Sequence, residues 1–330
     1  MPFLRFSHLA ALVAGVAVGL GACGGQDAPA TTTAPGGAGT AASSTGSTTS
    51  PARRAVAIPA ICGALRARVT GHVGAPEATE LSGLVVSPTQ PGVLWTHNDS
   101  GDRARLFALR TDGSLIASLD VPGAEATDWE DIAVGPSGDL LLGDIGDNDS
   151  KRAGVDVYRV PEPRLADRPA TTAPATRLHL TYPDGAHDAE TLLADRRTGE
   201  IIVVTKRLDG RSGVYVARAP ARGAPATQTL RQTGTLRLGF GGLATAGDVS
   251  ASGRLVAIRT YTTLHAWARK PGASLASTLK RKPCVGQVGL IGEGQGESLA
   301  LSRDGRSLFT VPEGTAATLR RYTARKPVVD

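Results

Sequence analysis

From Glu80 onward, short apolar runs alternate with clusters of turn-forming residues, and the same order of events returns five times. An acid opens each unit, and the five acids, Glu80, Glu130, Glu190, Asp248 and Glu297, are spaced by roughly 50 to 60 residues. A strand-like run follows each: Leu84-Val85-Val86, Ile132-Ala133-Val134, Leu192-Leu193, Val249, and Leu299-Ala300-Leu301. After a turn of Gly, Pro, Asp or Ser comes a second apolar run, such as Ile201-Ile202-Val203-Val204 or Leu308-Phe309-Thr310-Val311. Such pairs read as hairpins. Third strands are expected at 106–109, 155–158, 214–217, 265–267 and 319–322, and fourth strands at 115–121, 176–182, 230–238 and 285–291.

The last unit has no fourth run, but an unpaired one at 65–73 precedes Glu80. A repeat that ends one strand short and begins one strand early closes on itself. The expectation is an all-β chain forming a single β-propeller of five blades, with the N-terminal strand completing the C-terminal blade and leaving no open sheet edge. A sixth, degenerate blade stays open as an alternative in the long stretch 219–238.

The beginning of the chain is of another kind. Arg5 precedes an apolar core at 9–20, and Leu20-Gly21-Ala22 sets small residues before Cys23. This stretch is short for a membrane span. It resembles a bacterial lipoprotein signal, which implies a signal peptide over 1–22, lipid on Cys23, and an extracytoplasmic protein anchored to the cell membrane; an ordinary cleaved signal is the alternative. Residues 23–56 are rich in Gly, Ala, Ser, Thr and Pro and read as a flexible tether, which leaves 57–330 for the propeller. With Cys23 assigned to lipid, Cys62 and Cys284 are expected to pair in an oxidising compartment, the alternative being two buried thiols. The net charge of +6 comes from scattered Arg rather than basic runs interleaved with aromatics. That pattern suits anionic envelope polymers or lipid headgroups, the alternative being a solubility feature of an Arg-rich, Ala-rich chain, and gives no footprint for nucleic acid. A monomer is expected.

The equivalent loop of every blade faces one end of a propeller's channel, so matched acids would converge. Glu80, Glu130, Glu190, Asp248 and Glu297 are therefore candidate ligands of a divalent cation, most plausibly Ca²⁺, which takes six to eight oxygens. The alternative is structural, each acid accepting backbone N–H groups of the next blade. Loops after the second strands should emerge at the same end. They add Asn98, Lys206, Arg207, Arg259, Tyr261 and Glu313 as ligand-binding residues, the cations among them suited to phosphate or carboxylate; plain Asx turns are the alternative for the Asn- and Asp-rich loops at 96–102 and 143–149. His97 and His187 are the candidate general bases. There is no Gly-x-Ser-x-Gly elbow, phosphate-binding Gly-x-x-x-x-Gly-Lys, paired-cysteine zinc spacing or His-Glu-x-x-His.

The strings Glu80-Leu81-Ser82-Gly83-Leu84, Trp95-Thr96-His97-Asn98-Asp99-Ser100-Gly101, Trp129-Glu130-Asp131-Ile132-Ala133 and Gly143-Asp144-Ile145-Gly146-Asp147-Asn148 make the chain resemble exported bacterial propellers of the phytase-like, gluconolactonase-like (SMP-30) and NHL-type group. The gluconolactonase-like resemblance implies a channel cation held by residues such as Glu80, Asn98, Asp144 and Asn148, although the Glu-Gly-Pro opening usual there is missing. The phytase-like resemblance implies Ca²⁺ beside phosphate-binding cations, with which Lys206, Arg207 and Arg259 are compatible. Two functions follow as expectations. One is a surface platform binding an anionic small molecule, envelope polymer or protein partner around Ca²⁺; the other is a Ca²⁺-dependent hydrolase of phosphate esters or lactones.

Overall fold

The computed structural model describes residues 59–286 and 288–324. The stretches expected to be a signal peptide and a tether, with Cys23 between them, lie outside the described residues. Among the described residues, five sheets follow one another along the chain, each built on four antiparallel strands. Blade 1 is built from Leu81–Val86, Val93–Asn98, Arg105–Arg110 and Leu115–Asp120, and blade 2 from Trp129–Val134, Leu140–Asp144, Val155–Val160 and Thr176–Thr181. Blade 3 uses Ala189–Ala194, Glu200–Thr205, Gly213–Arg218 and Arg231–Thr235, and blade 4 uses Ala244–Val249, Leu255–Thr260, Leu264–Ala268 and Cys284–Gly286. Blade 5 joins Ala300–Leu301, Ser307–Thr310 and Thr318–Ala324 to the N-terminal strand Leu65–His72, which runs antiparallel to Thr318–Ala324 from Leu65 opposite Ala324 to His72 opposite Thr318. The β-propeller has five blades and closes as expected.

The apolar runs of the inner strands are unbroken because those strands are covered on both faces, whereas outer strands such as Leu65–His72 and Arg231–Thr235 are largely exposed. Successive side chains point to opposite faces, so Leu84 packs into the cluster shared with blade 5 while Val85 packs into the one shared with blade 2. Leu141 and Leu142 divide in the same way between blades 3 and 1. Five such clusters, one per pair of neighbouring blades, make up the core. Trp95 and Trp129 lie in one of them, between blades 1 and 2.

Two expected strands differ. The stretch read as a possible sixth blade splits: Ala226–Thr229 adds a parallel fifth strand to the edge of blade 2, beside Leu178 to Thr181, and Arg231–Thr235 is the outer strand of blade 3. The fourth strand expected at 285–291 shortens to Cys284–Gly286 and is followed by the 3-10 turn Leu290–Glu293. Cys62 and Cys284 form a disulfide that joins the segment leading into the closing strand to the outer edge of blade 4.

Candidate functional site at the channel mouth

One bond fixes which residues are equivalent. Where each inner hairpin closes, the N–H of Ser87, Gly135, Asp195, Ser250 or Ser302 donates to the carbonyl of Val93, Asp139, Glu200, Leu255 or Ser307. Five positions earlier stand Ser82, Glu130, Glu190, Thr245 and Glu297. The inner ring is therefore three glutamates and two hydroxyl residues. The hydroxyls serve the wall: Ser82 Oγ donates to the Glu130 carbonyl and Thr245 Oγ1 to the Gly296 carbonyl, the latter at 3.0 Å. Gly83 is needed beside them, because its φ of +66° is left-handed and a Cβ there would come within 2.8 Å of Ile132 N.

Glu80 and Asp248 leave this level, correcting the expectation of five matched acids. Glu80 is an exposed residue two positions before Ser82, and its N–H is held by Asn98 Oδ1 at 3.3 Å. Asp248 lies three positions beyond Thr245, deep in the wall, where its two oxygens accept from Val249 N and Leu301 N, each at 2.7 Å. Burial nevertheless pushes its carboxyl up to about 7. It ties blade 4 to blade 5, the structural role weighed for all five acids.

A second tier stands above the ring. Asp99 N donates to the Glu80 carbonyl, Gly146 N to Asp128, Lys206 N to Asp188 and Glu313 N to Gln295. These bonds lay the segment that follows the second strand, in four of the blades, over the chain entering the inner strand. Tyr261 follows Thr260 as Lys206 follows Thr205 and Asp99 follows Asn98 in the strand registers. Asp99, Asp128, Asp188 and Glu313 thus gather over Glu130, Glu190 and Glu297, with Lys206 and Tyr261 among them. Carboxylate oxygens of Asp99, Asp128 and Glu130 lie within 4.8 Å of one another, and so do those of Asp99, Glu297 and Glu313. Lys206 Nζ bonds Glu190 Oε1 and lies 3.8 Å from Glu297 Oε1, to which the Tyr261 hydroxyl donates at 2.5 Å.

The three ring glutamates are almost wholly buried, and Glu130 Oε2, Glu190 Oε2 and Asp99 Oδ1 have no hydrogen-bond partner among the described residues. Like charges removed from water hold protons. Burial first, then the neighbouring carboxylates, pushes Asp99 up to about 8, Asp128 to about 6 and Glu313 to about 10, and raises Glu130 and Glu190 well above the usual range. The Asp128–Glu130 corner is open because Gly146 has no side chain: a Cβ there would press into Glu130 Oε1 and stand 2.5 Å from Asp128 Oδ2.

The remaining sequence candidates are placed elsewhere. Arg259 is fully buried with Nη1 on Glu293 Oε2 at 2.9 Å and on the Ser298 carbonyl at 3.1 Å, and Glu293 also takes the hydroxyls of Thr310 and Tyr322. It is a strut between blades 4 and 5. Arg207 pairs with Asp209 at the rim. Asp144 accepts from Arg152 Nη1 at 2.8 Å and from the N–H groups of Thr127 and Asp128, Asn148 is exposed, and Asn98 Nδ2 is spent on the Glu77 carbonyl and Asp102. His97 is sealed between blades with its Nδ1 at the Asn98 carbonyl and its ring edge-on to Trp129; burial lowers its pKa to about 4. His187 stands in a separate cavity of about 200 Å³ on blade 3, with Nε2 at 2.9 Å from the Tyr215 hydroxyl and 3.1 Å from Asp184. Asp128 and Asp188 were not singled out from sequence; the signal was their place two residues before a ring glutamate.

No family model matches this chain, and no curated protein does. Among solved structures, it is similar to one described as a "putative gluconolactonase", at 14% identity and a TM-score of 0.43 over 79% of this chain and 92% of that one. A structure from Bacteroides uniformis described as a "putative 6-phosphogluconolactonase" matches at 15% identity and a TM-score of 0.40 over 75% and 68%.

Proposed function

We propose that this propeller holds a divalent cation, Ca²⁺, at its channel mouth and uses it to bind an anionic ligand, acting as a lipid-anchored platform outside the cell membrane. The observation that carries the cation reading is Glu130: 1% exposed, with Oε2 unpartnered, inside a group of carboxylate oxygens no more than 4.8 Å apart. Two oxygens that each sit 2.3–2.6 Å from one ion cannot be more than about 5 Å apart, so the spacing fits a shared ion. The donors are hard carboxylates without His or Cys, which favours Ca²⁺ over softer metals. Asp99, Asp128 and Glu130 would hold it; bound there, it would neutralise the carboxylates and present positive charge to a phosphate or carboxylate. Lipid on Cys23 would place this mouth among envelope polymers and protein partners.

A second reading, hydrolysis of a lactone or phosphate ester, has one observation in its favour: Lys206 and the Tyr261 hydroxyl stand beside the carboxylates, where they could meet developing negative charge. His97 cannot reach such a substrate from its sealed position.

The test is calorimetric titration of Ca²⁺ into the chelator-treated full chain and its Glu130→Gln variant. Micromolar binding that weakens at least about tenfold in the variant is expected. Undetectable binding by the wild type would remove the cation and, with it, both readings of the mouth. A screen of lactones and phosphate esters on the Ca²⁺-loaded chain then separates platform from hydrolase.

A further inference from the structure

Among the described residues, both carboxylate triplets contain Asp99, and neither contains Glu190. Glu190 is taken instead by Lys206, whose ammonium bonds Glu190, lies 3.8 Å from Glu297 and stands 5.7 Å from the centre of the Tyr261 ring. Its side chain is 17% exposed, against 3% for Glu190 and 4% for Glu297. Two carboxylates from blades 3 and 5 together with an aromatic face from blade 4 form the surroundings expected for a small cation. Here the cation is supplied by the chain, on a flexible four-carbon stem whose backbone is pinned by the bond from Lys206 N to the Asp188 carbonyl.

We propose, building on the cation reading above, that Lys206 is a built-in occupant of this site: its ammonium fills the Glu190–Glu297 half of the mouth, confines the divalent ion to the Asp99–Asp128–Glu130 half, and bars a second ion from binding beside the first. Removing the ammonium takes from the buried Glu190–Glu297 pair the positive charge that faces it, and a second divalent ion can restore that charge. Lys206 therefore sets how many ions the channel holds.

The experiment compares wild type, Lys206→Met and the double variant Lys206→Met/Glu190→Gln, as full chains. Ca²⁺ stoichiometry is read by calorimetry, and unfolding temperature is read in chelator and in Ca²⁺. The expected result is one ion for wild type, two for Lys206→Met with a larger Ca²⁺-dependent rise in unfolding temperature, and one for the double variant, whose unfolding temperature in chelator recovers toward wild type. Lys206→Met that folds only with Ca²⁺ present also supports the proposal. One ion in Lys206→Met with a wild-type Ca²⁺ response overturns it, as does a Lys206→Met that folds in neither condition while the double variant folds. A wild type that binds no ion would sink the cation reading and the proposal built on it, whereas one ion in both wild type and Lys206→Met sinks the proposal alone.

Discussion

Asp131, on the inner strand of blade 2, accepts a hydrogen bond from the backbone N–H of Gly247, on the inner strand of blade 4, at 3.1 Å across the channel. The same oxygen takes Leu192 N of blade 3 at 2.9 Å, and the other takes Ile132 N at 2.9 Å. One carboxylate thus joins three blades at the axis. It is fully buried, and burial raises its pKa while the three N–H donors pull it down. Asp131→Ala would strand three buried donors at about 1–3 kcal/mol each. Urea unfolding should show a loss of about 3 kcal/mol or more, and a loss under 1 kcal/mol would mean that the axis does not depend on this residue.

The strands were legible in the sequence because burial on both faces writes them as unbroken runs; Ile201-Ile202-Val203-Val204 could hardly be anything else beside its turns. The circular closure was legible for a similar reason, a strand missing at one end and spare at the other. The level of each acid was not. Glu80 and Asp248 recur at the right interval, yet two positions too early and three too late send one to the surface and the other into the wall, and only backbone pairing shows this. Arg259 read as a ligand-binding cation because its partner Glu293 lies 34 positions away in a Gly-rich stretch. The strand Ala226–Thr229 is short and lacks an apolar alternation that would announce it.

Gly146 tests where the carboxylates point. A methyl group there would displace the ends of Glu130 and Asp128, which can swing without disturbing the backbone. Gly146→Ala is therefore expected to cost little stability, about 1 kcal/mol or less, while Ca²⁺ affinity by calorimetry falls at least about tenfold. Unchanged affinity would place the ion away from this corner.

Cys62 and Cys284 are 222 residues apart in sequence, and their Cα atoms are 5.7 Å apart. Closing so long a loop restricts the unfolded chain by about 5 kcal/mol in the chain-entropy picture. Blade 5 is closed independently by the pairing of Leu65–His72 with Thr318–Ala324, so Cys284→Ser should fold with β-rich circular dichroism unchanged and lose up to that amount in denaturant unfolding. A variant that loses the closing strand, seen as rapid hydrogen exchange over residues 65–72, would show that the disulfide and not the sheet shuts the ring.

The channel acids give stability an unusual pH dependence. Asp99, Asp128 and Glu313 have folded pKa values of about 8, 6 and 10, raised first by burial, against about 4 in an unfolded chain. Between those values the folded chain binds more protons than the unfolded one, so the stability these groups contribute is complete below about pH 4 and is lost as pH rises through about 6, 8 and 10. In chelator, denaturant unfolding should lose at least about 2 kcal/mol between pH 5 and pH 9. Saturating Ca²⁺ should flatten that slope, because the ion replaces the protons; its affinity should rise with pH over the same window, with proton release on binding detectable by calorimetry in buffers of different ionisation enthalpy. Stability that rises or stays level from pH 5 to pH 9 in chelator would mean that the carboxylates are ionised without a cation, and that their charges are balanced by groups other than an ion at the mouth.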